Sequence, residues 1–177
     1  MKKGRKRHLI TLGSFGCHFF TTFGKELDFD SFTIVNEIQP QDIDIPFEFI
    51  FFPEKKLFSS ITAKKKMPQR LKDILINLDG QIVILAALGF GSGNGLYEEV
   101  GKLIRTFDDQ ERLQFVSIRP PEMEGRYPVE IANMVALELT DLNQRSVSLD
   151  SLKIGYGYYR LEDYYQKGDE WILKQLK

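Results

Sequence analysis

The residues with the clearest chemical potential lie at 81–107, where a long apolar run ends in closely spaced glycines. Seven apolar residues, 82–88, follow one another without a break and predict a strand buried on both faces of a parallel sheet. Glycine then occupies every second position, at Gly89, Gly91, Gly93 and Gly95. Backbone N–H groups can crowd around a ligand where no Cβ intervenes, and the N-terminus of the following helix attracts negative charge. The pattern predicts a phosphate-binding site.

A second junction of the same kind lies near the start of the chain. Residues 8–13 predict a strand that turns at Gly13, residues 14–17 a short loop, and residues 18–23 a first helical turn. The candidate phosphate contacts in this loop are Gly13, Ser14, Gly16 and Cys17. His18 either faces the phosphates or packs, and Cys17 is expected to be a small buried residue.

Strands and helices are expected to alternate along the rest of the chain. Further strands are predicted at 32–38, 45–52, 112–118 and 147–149. Helices are predicted from Pro68 to Gly80, from Pro128 to about Asn143, and over 160–177. This order indicates a three-layer α/β sandwich with a mostly parallel, Rossmann-like sheet. The loops at 13–18, 88–95 and 119–127 all follow strands, so they should meet at one edge of that sheet.

Composition narrows the class of protein. The chain has 177 residues, 42% hydrophobic and 28% charged, which predicts one globular domain over 1–177. A net charge of −1 gives no reason to expect nucleic-acid binding, although residues 1–7 form a short basic tail. The apolar stretch after the tail is interrupted by Gly13, Ser14 and Gly16, which argues against a secretory signal. One cysteine and no apolar run of about 18 residues favour the cytoplasm, without a membrane span.

Two common phosphate loops do not fit the glycine-rich stretch. The P-loop needs a lysine after its last glycine, and here Leu96 follows Gly95. The dinucleotide fingerprint G-x-G-x-x-G does not match strictly alternating glycines either. Residues 88–95, L-G-F-G-S-G-N-G, instead resemble the signature G-G-G-T-G-[ST]-G of the tubulin/FtsZ family. Ser92 stands at the threonine and Phe90 replaces one glycine.

Other segments resemble the same family in the same order, and together they cover nearly the whole chain. Residues 119–125, R-P-P-E-M-E-G, are similar to the FtsZ motif K-P-F-x-F-E-G. Residues 12–18, L-G-S-F-G-C-H, resemble the family's G-G-G-G-x-N-A loop, with His18 at the asparagine. Residues 163–172 resemble the start of its long central helix, D-A-F-x-x-A-[DN]-x-V-L. The chain is thereby identified as a divergent, reduced FtsZ-like protein.

The resemblance implies a role for each matched residue in binding GTP or GDP. The α- and β-phosphates would be held by Gly91, Ser92, Gly93, Asn94 and Gly95, together with Gly89 and the first loop. Glu124 would accept hydrogen bonds from the ribose, and Arg126 could replace the family arginine that is Pro128 here. Tyr165 would stack on guanine, and Asp169 would accept from the N–H groups of its edge.

The resemblance also implies limits. The family's γ-phosphate loop is replaced at 59–66 by a segment with lysines at 64–66, and Mg²⁺ is expected only with a triphosphate. The chain is expected to end within the central helix, at 160–177, before a second domain and before the loop that completes GTP hydrolysis. No catalytic residue and no metal ligand is therefore assigned, and weak or absent GTPase activity is expected.

Three functions remain open on the sequence alone. The first is a guanine-nucleotide-binding protein that acts on a full-length tubulin/FtsZ-like partner, for instance by capping its filaments, or that associates with itself. The second is a degenerate interaction module that keeps the fold but no longer binds nucleotide, which Phe15, Phe90 and Pro128 favour. The third is an ordinary GTPase, whose hydrolysis residues are not identifiable.

Overall fold

The computed structural model describes residues 5–53, 66–152 and 159–177, and its centre is a parallel sheet. The strands are β1 (Arg7–Leu12), β2 (Ser31–Asn36), β3 (Glu48–Phe51), β4 (Gln81–Ala87), β5 (Leu113–Arg119) and β6 (Gln144–Ser148). These six strands lie in the order β3-β2-β1-β4-β5-β6, and each pairing is parallel. The predicted α/β class with a parallel sheet is confirmed.

Helices cover both faces of this sheet. In the described residues they are α1 (Gly13–Phe23), α2 (Gln69–Asn77), α3 (Gly91–Ile104), α4 (Arg126–Glu138) and α5 (Leu161–Leu176). One face of the sheet packs against α2, α3 and α4 through residues such as Leu75, Tyr97 and Val135. The other face packs against α1 and α5, where Phe19 and Ile172 are fully buried. The molecule therefore has the three layers expected of an α/β sandwich.

The apolar run 82–88 correctly predicted β4, a central strand that is buried on both faces. From Ile82 to Ala86, no side chain is more than 1% exposed. A parallel strand between two helical layers has no solvent face, so its sequence is continuously apolar rather than alternating. It pairs with β1 from Arg7 opposite Gln81 to Leu12 opposite Ala86, so the two strands end side by side.

The helices begin earlier than predicted at both glycine-rich junctions. The expected loop at 14–17 is the first part of α1, and residues 91–95 form the first turn of α3. The glycines suggested a loop because glycine weakens a helix interior. At Gly13, Gly16 and Gly93, however, close packing leaves no room for a Cβ, whereas the space around Gly95 is open.

The helix predicted from Pro128 to about Asn143 also has different bounds. It begins two residues earlier, at Arg126, and ends at Glu138. Leu139 and Leu142 are buried as their apolar spacing suggested, but they lie after the helix. The chain leaves the helix there because β6 begins at Gln144.

The order of the strands defines a switch point. From β1 the chain builds outward through β2 and β3, and β4 then returns to the other side of β1. The helices that follow β1 and β4 therefore start from one crevice but lie on opposite faces of the sheet. In open α/β sheets, ligands bind at this position, beyond the carboxyl ends of the strands.

Part of one predicted feature lies outside the described residues. The polar segment with lysines at 64–66, considered for a γ-phosphate, is described only at Lys66. Among the described residues, no helix combines the length and the apolar character needed to cross a membrane.

The packing of α3 predicts opposite effects for two of its glycines. A Cβ at Gly101 would lie 2.3 Å from the Leu139 side chain, whereas a Cβ at Gly95 would meet nothing within 4 Å. The variant Gly101→Val should lower the free energy of unfolding by about 1–3 kcal/mol through overpacking. Gly95→Ala should be neutral or raise it by up to about 1 kcal/mol. Urea denaturation of both variants measures this, and equal effects would contradict the packing described here.

Candidate nucleotide site

The N-terminal turns of α1 and α3 are in contact at the switch point. A Cβ at Gly13 would lie 2.9 Å from the backbone nitrogen of Gly93, and a Cβ at Gly93 would lie 2.9 Å from the carbonyl oxygen of Leu12. Gly13 also has a φ of +76°, which residues with a Cβ rarely adopt. These two glycines allow the two helix ends to converge.

This convergence concentrates positive potential at one place. The first N–H groups of a helix have no partner within the helix, and its N-terminus carries roughly half a positive charge. Neither α1 nor α3 has a capping side chain or an acidic residue in its first turn. An anion would therefore find two uncompensated helix dipoles at this point.

A cavity of about 230 Å³ opens where the two helices meet. Its lining contains main chain from both helix ends and three aromatic side chains; the residues are Leu12, Gly13, Ser14, Phe15, Ala87, Leu88, Phe90, Gly93 and Tyr165. Pockets for small molecules usually have at least about 300 Å³. The cavity is therefore sized for part of a nucleotide rather than for all of it.

Ser92 supplies a buried hydroxyl beside the contact between the two helices. The residue is 6% exposed, and its Oγ has no hydrogen-bond partner among the described residues. This oxygen lies 3.5 Å from the position of a Cβ on Gly13. Leaving such a group unpaired costs about 1–3 kcal/mol, so a ligand that accepts its hydrogen bond would be stabilised.

The turn between β4 and α3 is held by the protein itself. The side-chain oxygen of Asn94 accepts a hydrogen bond of 2.9 Å from the N–H of Gly89. A Cβ at Gly89 would lie 2.7 Å from the carbonyl oxygen of Pro128 and 3.0 Å from Pro120. The three predicted loops therefore meet at one edge of the sheet. Asn94 and Gly89 hold the turn at this edge through their hydrogen bond. The N–H groups without a partner within the helix are those of the first turn of α3.

Tyr165 and Glu124 are joined by a hydrogen bond. The Tyr165 hydroxyl donates to a Glu124 carboxylate oxygen at 2.9 Å. Burial raises the pKa of Glu124, and the hydrogen bond from Tyr165 opposes that rise. Burial and the nearby charge of Glu124 raise the pKa of Tyr165, so its hydroxyl stays protonated and remains a donor. The residues expected at the ribose and at the base thus form one unit.

The same tyrosine packs against a side chain of the first helix. The centroids of the Phe15 and Tyr165 rings are 6.1 Å apart, with 43° between the ring planes. Phe15 also packs on Phe19 within α1. Phe15 therefore turns inward, toward α5, and covers part of the Tyr165 ring.

Asp169 lies one turn beyond Tyr165 on α5. One of its carboxylate oxygens is buried and has no hydrogen-bond partner among the described residues. Burial raises its pKa to about 6, and the charge of nearby His18 opposes that rise. His18 is exposed and lies close enough to this acid for its charge to act on it. A buried acceptor without a donor favours a ligand that can donate a hydrogen bond to it.

Several predicted site residues do not line the cavity. Gly16 is buried against the side chain of Thr11, where a Cβ would lie 2.8 Å from that residue. Cys17 is buried with its thiol 3.9 Å from the carbonyl oxygen of Ile38, and burial raises the pKa of this thiol. Both residues lie inside α1, where backbone N–H groups are used by the helix. Gly95 is exposed on α3 and does not line the cavity either.

Arg126, which was expected near the ribose, lies at the start of α4. Its side chain is 90% exposed and pairs with Glu130 along α4. Residues four apart lie on one face of a helix, which brings Glu130 within reach of this side chain.

Asn36 is a polar residue that the sequence analysis missed. It is 4% exposed at the carboxyl end of β2, and its side chain accepts from the Ser14 hydroxyl at 3.4 Å. The same side chain donates to the carbonyl oxygen of Ile38 at 3.1 Å. The sequence feature that could have identified Asn36 is its place as a polar residue at the end of an apolar strand. Asn36 connects the end of β2 to the first turn of α1.

Histidine and acidic side chains do not assemble into a metal centre within the described part of the chain. No group of three or more His, Cys, Asp or Glu residues there is arranged to hold an ion.

Solved structures share this architecture. No protein-family model and no curated protein matches the sequence. An empty FtsZ dimer from M. jannaschii aligns with a TM-score of 0.74 at 15% identity, over 98% of this chain and 54% of that chain. CetZ2 from Haloferax volcanii, a protofilament with bound GTPγS, aligns with a TM-score of 0.61 at 19% identity, over 96% of this chain and 56% of that chain. A PhuZ201 filament aligns with a TM-score of 0.58 at 13% identity, over 97% and 55%.

The sheet order and the switch point define a Rossmann-like α/β fold. Within that class, the three alignments show that the chain has a divergent FtsZ-like fold, as its motifs indicated. The chain spans about half the length of each of these structures, 54%, 56% and 55%.

The buried carboxyl of Asp169 predicts a pH effect on stability. Its pKa is about 6 in the folded protein, against about 3.9 when unfolded. Because folding favours the protonated form, its stabilising contribution is complete below about pH 4 and is lost as the pH rises through about 6. The free energy of unfolding of wild type therefore contains a loss between about pH 4 and pH 7 that Asp169→Asn lacks. The difference between the two proteins should grow in favour of the variant as the pH rises through this range.

Urea denaturation across this range measures the effect, with Glu162→Gln as the control. Glu162 is an exposed acid on the same helix, so its variant should follow the wild-type pH profile. Parallel profiles for wild type and Asp169→Asn would show that Asp169 titrates as a solvated carboxylate.

Proposed function

We propose that this protein binds a guanine nucleotide, with the phosphates at the joined N-termini of α1 and α3. The observation that carries the proposal is the buried Ser92 hydroxyl, which lacks a hydrogen-bond partner among the described residues and lies against Gly13. A phosphate oxygen would accept from this hydroxyl and from the first N–H groups of both helices. No side chain neutralises those helix ends. A neutral ligand would gain little from this arrangement.

The preference for guanine rests on Asp169. Its buried oxygen without a partner could accept from guanine N1–H and from the 2-amino group. Adenine has no donor at these positions, so binding it would leave the acid unpaired. Glu124 would take the ribose hydroxyls, because a carboxylate has acceptor sites to spare after its bond to Tyr165.

We propose further that hydrolysis by this chain is slow. Activating the attacking water needs a group within hydrogen-bond reach of it. The described residues that line the cavity include no carboxylate and no histidine. The nearby acids, Glu124 and Asp169, are grouped with Tyr165 at the proposed sugar and base end. Mg²⁺ would enter only with a triphosphate.

A partner with the same fold is also proposed. The aligned structures are named as an FtsZ dimer, a CetZ2 protofilament and a PhuZ201 filament. By analogy, the nucleotide end of this chain would contact a second FtsZ-like chain, either another copy or a full-length protein. The cytoplasm is the proposed location, where the single thiol at Cys17 would stay reduced.

One observation favours a second candidate, an interaction module without nucleotide. Phe15 packs on Tyr165, and Tyr165 is bonded to Glu124, so the proposed base and ribose positions are partly filled by the protein. In that case the fold would serve as a scaffold for a partner. Titration with nucleotides separates the two candidates.

Calorimetric titration should give binding of GTP and GDP, with ATP weaker by at least about tenfold. Ser92→Ala should weaken GDP binding by roughly 10–100-fold, because one hydrogen bond to a charged group contributes about 1.5–3 kcal/mol. Thr11→Val is the matched control. Thr11 is also buried with a hydroxyl that has no partner among the described residues, but its side chain packs against Gly16 rather than against Gly13 at the helix contact. Its variant should bind GDP as wild type does.

The absence of heat and of a melting shift with GTP, GDP and ATP would instead support the interaction module. Equal losses of GDP affinity in Ser92→Ala and Thr11→Val would show that the Ser92 hydroxyl acts by stabilising the fold and not by contacting the ligand.

The contact between Phe15 and Tyr165 predicts competition with the base. Phe15→Ala should tighten GDP binding by up to about tenfold, because an aromatic pair contributes about 0.5–1.5 kcal/mol and must be broken for the base to stack. Phe23→Ala serves as the control, since Phe23 packs on Phe19 in the same helix at 5.1 Å and does not line the cavity. Weaker binding by Phe15→Ala would mean that this ring supports the base instead of competing with it.

A further inference from the structure

A half-exposed aromatic ring lies where the cavity at the joined helix ends meets solvent. Phe90 lines this cavity and is 48% exposed. It is the N-cap residue of α3, so it directly precedes the N–H groups that the proposed phosphates would use. Any ligand at the joined helix ends therefore lies next to this ring.

The main chain on both sides of Phe90 is held in place. Gly89 and Gly91 have φ values of +99° and +59°, in the left-handed region. A Cβ at Gly89 would lie 2.7 Å from the carbonyl oxygen of Pro128, and the Gly89 N–H donates to the side chain of Asn94 at 2.9 Å. The ring can turn about its own side-chain bonds, but the chain that carries it has no room to move back from the cavity.

Phe90 lies across the switch point from the proposed base position. Phe15 and Tyr165 belong to α1 and α5, which cover one face of the sheet. Phe90 precedes α3, which covers the other face. A nucleotide with its base beside Tyr165 and its phosphates at the helix ends would therefore cross the edge of the sheet, and its terminal phosphate would point toward Phe90.

The cavity offers hydrogen-bond donors for a short phosphate chain. The N-termini of α1 and α3 are each a site for one anionic group, and the Ser92 hydroxyl adds a donor between them. The described residues that line the cavity include no lysine, arginine or histidine. A third phosphate would lie beside the Phe90 ring, which has no N–H or O–H group. It would lose water on that side without gaining a donor.

We propose that Phe90 restricts the site to nucleoside diphosphates. The inference rests on the proposed function, because it concerns the length of the phosphate chain that the same site accepts. GDP places one phosphate at each helix end, whereas GMP leaves one helix end without an anion. GTP brings its terminal phosphate against the ring. Phe90 is thus a residue that determines specificity and has no part in catalysis.

Calorimetric titration of the 177-residue chain with GMP, GDP and GTP in a buffer with Mg²⁺ tests this proposal. Wild type should bind GDP at least about tenfold more tightly than either GMP or GTP. Phe90→Ala removes the ring, so its affinity for GTP should rise to within about threefold of that for GDP, while GMP stays weaker. Phe90→Leu keeps an apolar side chain and should keep the wild-type preference for GDP over GTP.

Phe51→Ala is the matched control, because Phe51 is another exposed aromatic residue at the same edge of the sheet. It is 62% exposed at the carboxyl end of β3 and does not line the cavity, so its variant should bind all three nucleotides as wild type does. Circular dichroism confirms that each variant is folded.

Three results would overturn the inference and leave the proposed function standing. They are equal affinity of wild type for GDP and GTP, equal affinity for GDP and GMP, and a preference for GDP over GTP that Phe90→Ala retains. No binding of any of the three nucleotides would overturn the proposed function itself, and the inference with it.

Discussion

The close contact between Gly13 and Gly93 is the constraint on which the rest of the site depends. It forces the N-termini of α1 and α3 together from opposite faces of the sheet, and only residues without a Cβ permit that distance. The two helix dipoles then act on one small volume, and the Ser92 hydroxyl is buried at its edge. A side chain larger than hydrogen at either glycine would separate the two helix ends. Their positive potentials would then no longer act on the same small volume. Two of the alternating glycines, Gly89 and Gly93, are thus required first by packing, and the potential of the helix ends to bind an anion follows from that packing.

The far end of the proposed site is organised differently, by side chains on α5. Tyr165, Glu124 and Phe15 contact one another, while Asp169 has a buried oxygen with no partner among the described residues. One end of the site therefore offers backbone donors and the other offers a buried acceptor. A nucleotide is a ligand with the matching order of groups, since its phosphates accept hydrogen bonds and a guanine edge donates them. The contacts of Phe15 and Tyr165 would have to loosen before a base could stack.

Much of the fold could be predicted from the sequence, because buried parallel strands leave a direct signal. The unbroken run 82–88 predicted β4, and the helix predicted from Pro68 to Gly80 corresponds to α2, which ends earlier, at Asn77. The starts of α1 and α3 could not be placed, because glycine-rich turns look the same in a loop and in a tightly packed helix end. The end of α4 was predicted too late, since Leu139 and Leu142 keep helical spacing although they pack after the helix ends.

Only some residues of the candidate site could be predicted from the sequence. Ser92, Gly93, Glu124 and Tyr165 were named from their motifs and lie around the cavity or next to its lining. Arg126 was named because it is close in sequence, but helix geometry directs it toward Glu130 and solvent. Asn36 was missed, because its role depends on the pairing of β2 with β1, which no local pattern reveals. Contacts between residues that are distant in sequence therefore account for most of what the sequence left out.

The central claim is that the joined helix ends hold the phosphates of a guanine nucleotide. Titration of isotope-labelled protein with GDP, followed residue by residue by NMR, tests it most directly. The account predicts that the largest shifts occur at the amides of 13–15 and 91–93 and at Tyr165 and Asp169, with AMP producing little change. The absence of shifts at millimolar GDP, or shifts confined to residues away from the switch point, would contradict it.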